Sequence, residues 1–247
     1  MIQSVAFIGL GAMGYRMAAH LPKHFDTVYV WNRNFEKAKQ HSIEYGTQAV
    51  DLKQAVQADI IFSCLPTSKD IENLIAGLEL KAGSIWVDCT SGVPESAKQL
   101  AEQLKLQQVS FLDAPVSGQT IGAENATLTV MIGGDEAAFN QALPAIQAFG
   151  KLIKHVGASG AGFAVKAVNT MLLAVKLWSV AEGFTTLKAH GVDLTEALDC
   201  INASSGKSGV TENVLSQRIL NRSFPLTFAL PLLAKDTGIA LNLAQDV

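Results

Sequence analysis

Along the first 157 residues, short runs of uninterrupted apolar residues alternate with longer stretches in which apolar positions recur at helical spacing. SVAFI gives way to GYRMAAHL, TVYVW to FEKAKQH, DIIFSCL to DIENLIAGL, and SIWVDCT to PESAKQLAEQL. VSFLDAPV, TLTVMIGG and KLIKHVG follow, with DEAAFNQALPAIQAF between the last two. Runs that are apolar throughout suit strands buried on both faces. Strict alternation of strand with helix predicts βαβ units and a mainly parallel sheet covered on both sides. The expected fold class is therefore α/β, with a doubly wound, Rossmann-type domain over residues 1–162.

After the glycine-rich GASGAG the pattern changes. Phe163 to His190 is one long helical pattern without proline. Asp193-Leu194-Thr195-Glu196 then has the form of a capping box, and ALDCINA, ENVLSQRIL and LPLLAKDTGIALNLA all read as helices. A second, all-helical domain is expected over residues 163–247, joined to the first by the long helix. Neither an internal repeat nor a low-complexity tract is visible.

Composition narrows the partners. Of 247 residues 49% are apolar and 17% charged, which is enough apolar material to build a core without staples. A net charge of −3 argues against nucleic acid or an anionic membrane as a partner, since both need a clustered basic face. The three cysteines, Cys64, Cys89 and Cys200, lack CxxC spacing, so neither disulfides nor a structural zinc is expected, in keeping with a reducing cytoplasm. The histidines show no paired metal-ligand spacing, and no metal is expected. No targeting segment is visible, and no apolar run approaches the roughly 18 residues of a membrane span.

The chemistry starts at Gly9-Leu10-Gly11-Ala12-Met13-Gly14, a G-x-G-x-x-G between the first strand and the first helix. In that context the glycines allow a tight turn, close approach of the backbone to a pyrophosphate, and close packing of helix on strand. The next strand ends in Asn32-Arg33-Asn34. An NAD site places a carboxylate there to hold the adenosine ribose. Here Asn32 precedes Arg33, which can pair with a 2′-phosphate, with Asn34 and Lys37 nearby. NADP(H) is the preferred cofactor on this reading and NAD(H) the alternative; a solvated arginine at a strand end is the plainer account. Leu65-Pro66 and Thr90-Ser91 lie at carboxyl ends of strands, where open α/β sheets bind ligands.

Lys166 and Asn169, three residues apart, share a face of the long helix. A lysine among Phe163, Val165, Val168, Met171 and Leu172 either snorkels to solvent or serves a reaction. Reduction of a carbonyl by hydride leaves negative charge on oxygen, and an ammonium such as Lys166 can stabilise and protonate it. Asn169 would orient the lysine or the substrate hydroxyl. Ser117, Gly118 and Gln119 offer a hydroxyl and successive backbone N–H donors, a nest for a substrate carboxylate, unless the stretch is a simple turn.

Together with the glycine loop, three stretches resemble the β-hydroxyacid dehydrogenase family, which includes 3-hydroxyisobutyrate dehydrogenase and tartronate semialdehyde reductase. They are DAPVSGQTIGAENATLTVMIGG, GAGFAVKAVNTMLLA and AKDTGIALNLA. The resemblance implies Lys166 and Asn169 as catalytic residues, Leu65, Pro66 and Ser91 as cofactor contacts, and Lys235 reaching toward cofactor and substrate. It also implies Phe228 and Asp236 at the substrate, a pocket-closing role for NASSGKS, and a homo-oligomer formed through the helical domain. Two departures stand out. The family's Ser-Gly-Gly is Ser117-Gly118-Gln119 here, and its members usually carry further helices after the Lys-Asp segment, so the helical domain is expected to be incomplete. The expected activity is hydride transfer between a nicotinamide and a small 3-hydroxy acid or semialdehyde. The alternatives are a non-catalytic dinucleotide-binding module, disfavoured by the lysine, and an imine reductase, an activity that usually replaces it.

Overall fold

The computed structural model describes residues 2–225 and 228–245. In chain order the elements are β1 (Ser4–Ile8), α1 (Gly14–Ala18), a 3-10 turn (Leu21–Lys23), β2 (Thr27–Trp31), α2 (Phe35–Tyr45), β3 (Gln48–Ala49), α3 (Leu52–Ala55), β4 (Ile60–Ser63) and α4 (Ser68–Ile75). They continue with β5 (Ile85–Asp88), α5 (Pro94–Lys105), β6 (Ser110–Asp113), β7 (Val116–Ser117), α6 (Gln119–Glu124), β8 (Leu128–Gly134), α7 (Glu136–Ile146) and β9 (Gly150–Gly157). Helices α8 (Ala161–Ala189), α9 (Leu194–Asn202), a π-helical segment (Val210–Leu220) and α10 (Leu230–Gln245) complete the chain. Two compact units divide it, Met1–Lys166 and Ala167–Val247.

The first unit is the doubly wound domain. Its sheet runs β3-β2-β1-β4-β5-β6-β8-β7, with β9 on β8. The strands from β3 through β6 are parallel, whereas β8 lies antiparallel to β6 and β7 and parallel to β9. The period of two along each strand sorts the apolar residues into two layers. Val5, Phe7, Ile60, Phe62, Ile85 and Val87 pack on one face, and Ala6, Ile8, Ile61, Trp86 and Phe111 on the other. That double burial is why the strands read as continuous apolar runs. Because β1 pairs with β2 on one side and β4 on the other, the winding reverses between β1 and β4. A reversal of that kind opens a crevice at the carboxyl ends of the strands.

Caps fix the helix starts. Asn34 accepts from the Glu36 amide at α2, Thr67 from Asp70 at α4, and Asp135 from Ala138 at α7, while Pro94 opens α5. In the second unit Asp193 accepts from the amides of Thr195 and Glu196, so the aspartate half of the expected capping box is made. Ala167, Ile239 and Ala240 pack with Met171 and Leu243, and Phe184, Leu198 and Leu215 form a second apolar cluster.

Helix α8 corrects one expectation. An 18-residue window within it has a mean hydropathy of 1.4, so by length and composition it is long and apolar enough to cross a membrane. Scattered polar residues break the apolar run without lowering the mean below that of a spanning helix.

Candidate active site

The three glycines of the first loop have distinct surroundings. Gly9 has φ +93°, and a Cβ on it would lie 2.5 Å from the Cys64 carbonyl oxygen and 2.6 Å from Leu65 Cδ2. A side chain there would push apart the ends of β1 and β4. A Cβ on Gly14 would collide with the Gly9 carbonyl oxygen and sit 2.9 Å from the Phe7 ring, so this glycine lets α1 lie on β1. At Gly11 a Cβ would meet no protein atom within 4 Å. The backbone is bare on that side, at the carboxyl end of β1 and beside the winding reversal. A dinucleotide's pyrophosphate needs such a surface, and the residues present fit that group.

Asn32 stands beside this loop. Its Oδ1 accepts from the Leu10 amide at 2.9 Å and its Nδ2 donates to the Asn34 carbonyl at 3.0 Å. An aspartate could make the first bond but would set an oxygen against the Asn34 carbonyl, so the amide suits the position. Asn34 caps α2 with its own Oδ1. Arg33 and Lys37 are exposed. Behind the loop His41 is fully buried, bonded to Thr47 Oγ1 at 2.8 Å and to the Tyr15 carbonyl at 3.0 Å. Since that carbonyl only accepts, Nε2 carries the hydrogen, and burial holds the ring's pKa below its ordinary value. The histidine clasps α1 to α2, a role that no motif in the sequence announces.

A buried polar chain supports the ends of β4 and β5. The Leu65 amide donates to Thr90 Oγ1 at 3.1 Å, and Thr90 Oγ1 donates to Asp88 Oδ1 at 2.6 Å. Ser63 Oγ donates to the same Asp88 oxygen at 2.9 Å and accepts from Trp86 Nε1 at 2.8 Å. Burial pushes the Asp88 carboxyl up to about 6, against the hydrogen bonds from Thr90 and Ser63. Leu65, Pro66 and Ser91, the expected cofactor contacts, thus stand on a lip held from beneath by Asp88 and Thr90. Cys89 is buried and burial drives its thiol pKa well above the ordinary range, so it is no nucleophile.

On the loop expected to meet the substrate, Ser117 pairs with Thr129 of β8, Gly118 has φ +137° and Gln119 has φ +60°. Gln119 therefore holds a left-handed conformation that glycine adopts freely. The loop runs into α6, which is tied to α1 by an Arg16–Glu124 ion pair at 3.7 Å and to the turn after α1 by His20 Nε2 donating to the Ala123 carbonyl at 2.9 Å. Lys166, half-buried, closes the same unit on the second turn of α8.

The remaining expected residues belong to the second unit. Asn169 and Phe228 are exposed, and Lys235 is half-buried with Nζ 3.0 Å from Oδ1 of the buried Asp236. The NASSGKS stretch begins at the last residue of α9 and is mostly exposed.

The chain is similar to known proteins along almost its whole length. Residues 4–157 match the family model described as the NAD binding domain of 6-phosphogluconate dehydrogenase. Residues 160–247 match that of the NAD-binding region of NADP-dependent 3-hydroxyisobutyrate dehydrogenase. The chain is 38% identical to 2-(hydroxymethyl)glutarate dehydrogenase of Eubacterium barkeri, over 98% of this chain and 82% of that one. It is 33% identical to 3-hydroxyisobutyrate dehydrogenase of Pseudomonas aeruginosa, over 98% of this chain and 86% of that one. The structure of Mycobacterium tuberculosis 3-hydroxyisobutyrate dehydrogenase with L-serine superposes with a TM-score of 0.91 at 28% identity, over 100% of this chain and 88% of that one. The chain therefore belongs to the β-hydroxyacid dehydrogenase family of NAD(P)-binding oxidoreductases.

Proposed function

We propose that the protein transfers a hydride between NADP(H) and a small 3-hydroxy acid or its semialdehyde, with Lys166 as the acid-base group. The observation that carries this reading is the half-buried Lys166 on a helix whose start is bonded to Asp113 at the carboxyl end of β6, as the glycine loop lies at the carboxyl end of the parallel β1. A module that only bound a dinucleotide would need the loop and no such lysine.

When bound, the nicotinamide supplies or takes the hydride. The chain's residues do the rest. The backbone at Gly9, Gly11 and Gly14 receives the pyrophosphate, with Leu10, Ala12 and Met13 completing the loop, and Leu65, Pro66 and Ser91 line the cofactor. Arg33, assisted by Asn32 and Asn34, meets the 2′-phosphate and sets the preference for NADP(H) over NAD(H). Ser117 and the amides of Gly118 and Gln119 hold the substrate carboxylate. In reduction the Lys166 ammonium donates its proton to the forming alkoxide; in oxidation the amine takes the hydroxyl proton. Asn169 orients that exchange, Lys235 serves cofactor binding, and Phe228 and Asp236 serve the substrate.

The same reading makes the protein a cytoplasmic homo-oligomer assembled through the helical domain. Val168, Leu172 and Val175 expose apolar side chains along α8, and Trp178 is 71% exposed, a stripe that a second copy would cover.

The test is a panel of 3-hydroxyisobutyrate, 2-(hydroxymethyl)glutarate, L-serine and their semialdehydes, assayed with each nicotinamide by the absorbance of the reduced cofactor. Turnover of at least one compound, with NADP(H) preferred, is expected. Tight dinucleotide binding without turnover of any of them would favour a sensing module instead.

A further inference from the structure

Asp113 ends β6 and is fully buried. Its Oδ1 accepts from the Gly160 amide at 2.7 Å and its Oδ2 from the Phe163 amide at 2.9 Å. Both amides belong to the start of α8, where the first N–H groups have no partner inside the helix. The carboxylate therefore caps α8 from a strand 50 residues away in sequence. Phe163 and Lys166 are three residues apart, so the amide that Asp113 holds lies one turn beneath the lysine.

Glycines make room for this carboxylate. A Cβ on Gly133 would sit 2.6 Å from Asp113 Oδ1 and 2.8 Å from Oδ2, and one on Gly162 would sit 2.9 Å from Oδ2 and collide with the Met131 carbonyl oxygen. Gly160, with φ +93°, comes close to the Pro94 carbonyl, where a Cβ would lie at 2.8 Å. The helix start is thereby pressed against β6, β8 and the start of α5, with no space to shift. The arrangement is costly. Asp113 stands in register with the buried Asp88 on β5, so two carboxylates neighbour each other in the interior. Burial pushes the Asp113 carboxyl up to about 6, against its amide bonds. Serine or asparagine would cap a helix without burying a charge.

We infer that Asp113 is a positioning residue for the reaction: its carboxylate clamps the first turn of α8 through two backbone amides and so fixes where the Lys166 ammonium stands for proton transfer. This rests on the reading of Lys166 as the acid-base group.

The test is a double-mutant cycle of Asp113→Asn and Lys166→Ala. It reads kcat with 3-hydroxyisobutyrate, 2-(hydroxymethyl)glutarate and L-serine as probes, and NADPH dissociation constants by fluorescence. Amide hydrogen exchange across residues 160–166 of the cofactor-free protein gives a readout independent of activity. Asparagine keeps one acceptor oxygen but turns an NH2 toward the other amide. With a misplacement of about 1 Å, D113N should lower kcat about a hundredfold while NADPH binding stays within about threefold. Exchange in residues 160–166 should quicken. In the Lys166→Ala background D113N should cost less than about threefold, because the group it positions is gone. A capping role without catalytic consequence would instead leave kcat near wild type, and an effect independent of the lysine would repeat the full loss on top of Lys166→Ala; either result overturns the inference. Unchanged exchange across 160–166 overturns it too. Wild-type kcat in Lys166→Ala alone would sink the reading of Lys166, and this inference with it, whatever D113N does. Should D113N fail to bind NADPH, Asp113→Ser, which keeps one capping oxygen, is judged by the same outcomes.

Discussion

At the scale of single residues, two side chains carry separable predictions. Arg33 is exposed at the end of β2, next to Asn32, whose amide is already engaged by Leu10 and Asn34. If its guanidinium holds the 2′-phosphate, Arg33→Ala should weaken NADPH binding by about 1.5–3 kcal/mol, the scale of a charge-assisted contact, and leave NADH binding unchanged. Equal losses for both cofactors, or none, would remove Arg33 from the site. Gln119 has φ +60°, a conformation that costs a non-glycine residue on the order of 1 kcal/mol. Gln119→Gly should therefore raise the melting temperature; a lower one would mean that the side chain's contacts outweigh the strain. The glycine loop was legible at this scale because chain direction itself demands glycine where strand, turn and helix crowd together. Asn32 was only half legible. Its position beside the loop follows from the strand pattern, but its engagement by Leu10 and Asn34 depends on backbone geometry that no motif encodes.

Among the elements, long periodic stretches were readable and short ones were not. β1, β2, β4, β5 and α5 fall where the apolar pattern places them. β3 and α3, with two and four residues, are too short to show a period. The Val210–Leu220 stretch reads as an ordinary helix but is π-helical, since its apolar spacing does not distinguish the two windings. The antiparallel placement of β8 against β6 was equally hidden, because strand direction is set by connections rather than by side-chain pattern. So was the network beneath the ends of β4 and β5: Asp88 lies within an apolar run, and nothing local says that Ser63 and Thr90 point at it. That network carries a pH prediction. Asp88 titrates at about 6 in the fold against an ordinary 3.8, so its stabilising protonated form is fully present below 3.8 and lost as pH rises through 6. Between pH 5 and 7.5 this amounts to a loss on the order of 1 kcal/mol. His41, with its pKa held low, acts in the opposite direction over the same range, so the total is not informative but a difference is. Asp88→Asn should reduce the fall in unfolding free energy between pH 5 and pH 7.5 relative to wild type. An unchanged pH slope would show that Asp88 does not titrate there.

For the whole molecule, assembly and activity are the properties at stake. The exposed stripe on α8, ending in Trp178, predicts a sedimenting mass that is a multiple of the chain's, and Leu172→Glu should reduce it toward one chain. A wild-type protein that sediments as a single chain at micromolar concentration would contradict that. The proposed activity rests on Lys166. If its ammonium meets charge that exists mainly in the transition state, its loss appears in kcat and not in cofactor affinity. The most direct measurement is kcat for wild type, Lys166→Ala and Lys166→Arg, alongside their NADPH dissociation constants. Lys166→Ala should lose about 10²–10⁴-fold in kcat, the range of a general acid-base group, with NADPH binding intact. Lys166→Arg should recover little of it, because a guanidinium does not release its proton near neutral pH. An alanine variant within about threefold of wild-type kcat would contradict the account, since a general acid contributes far more than that.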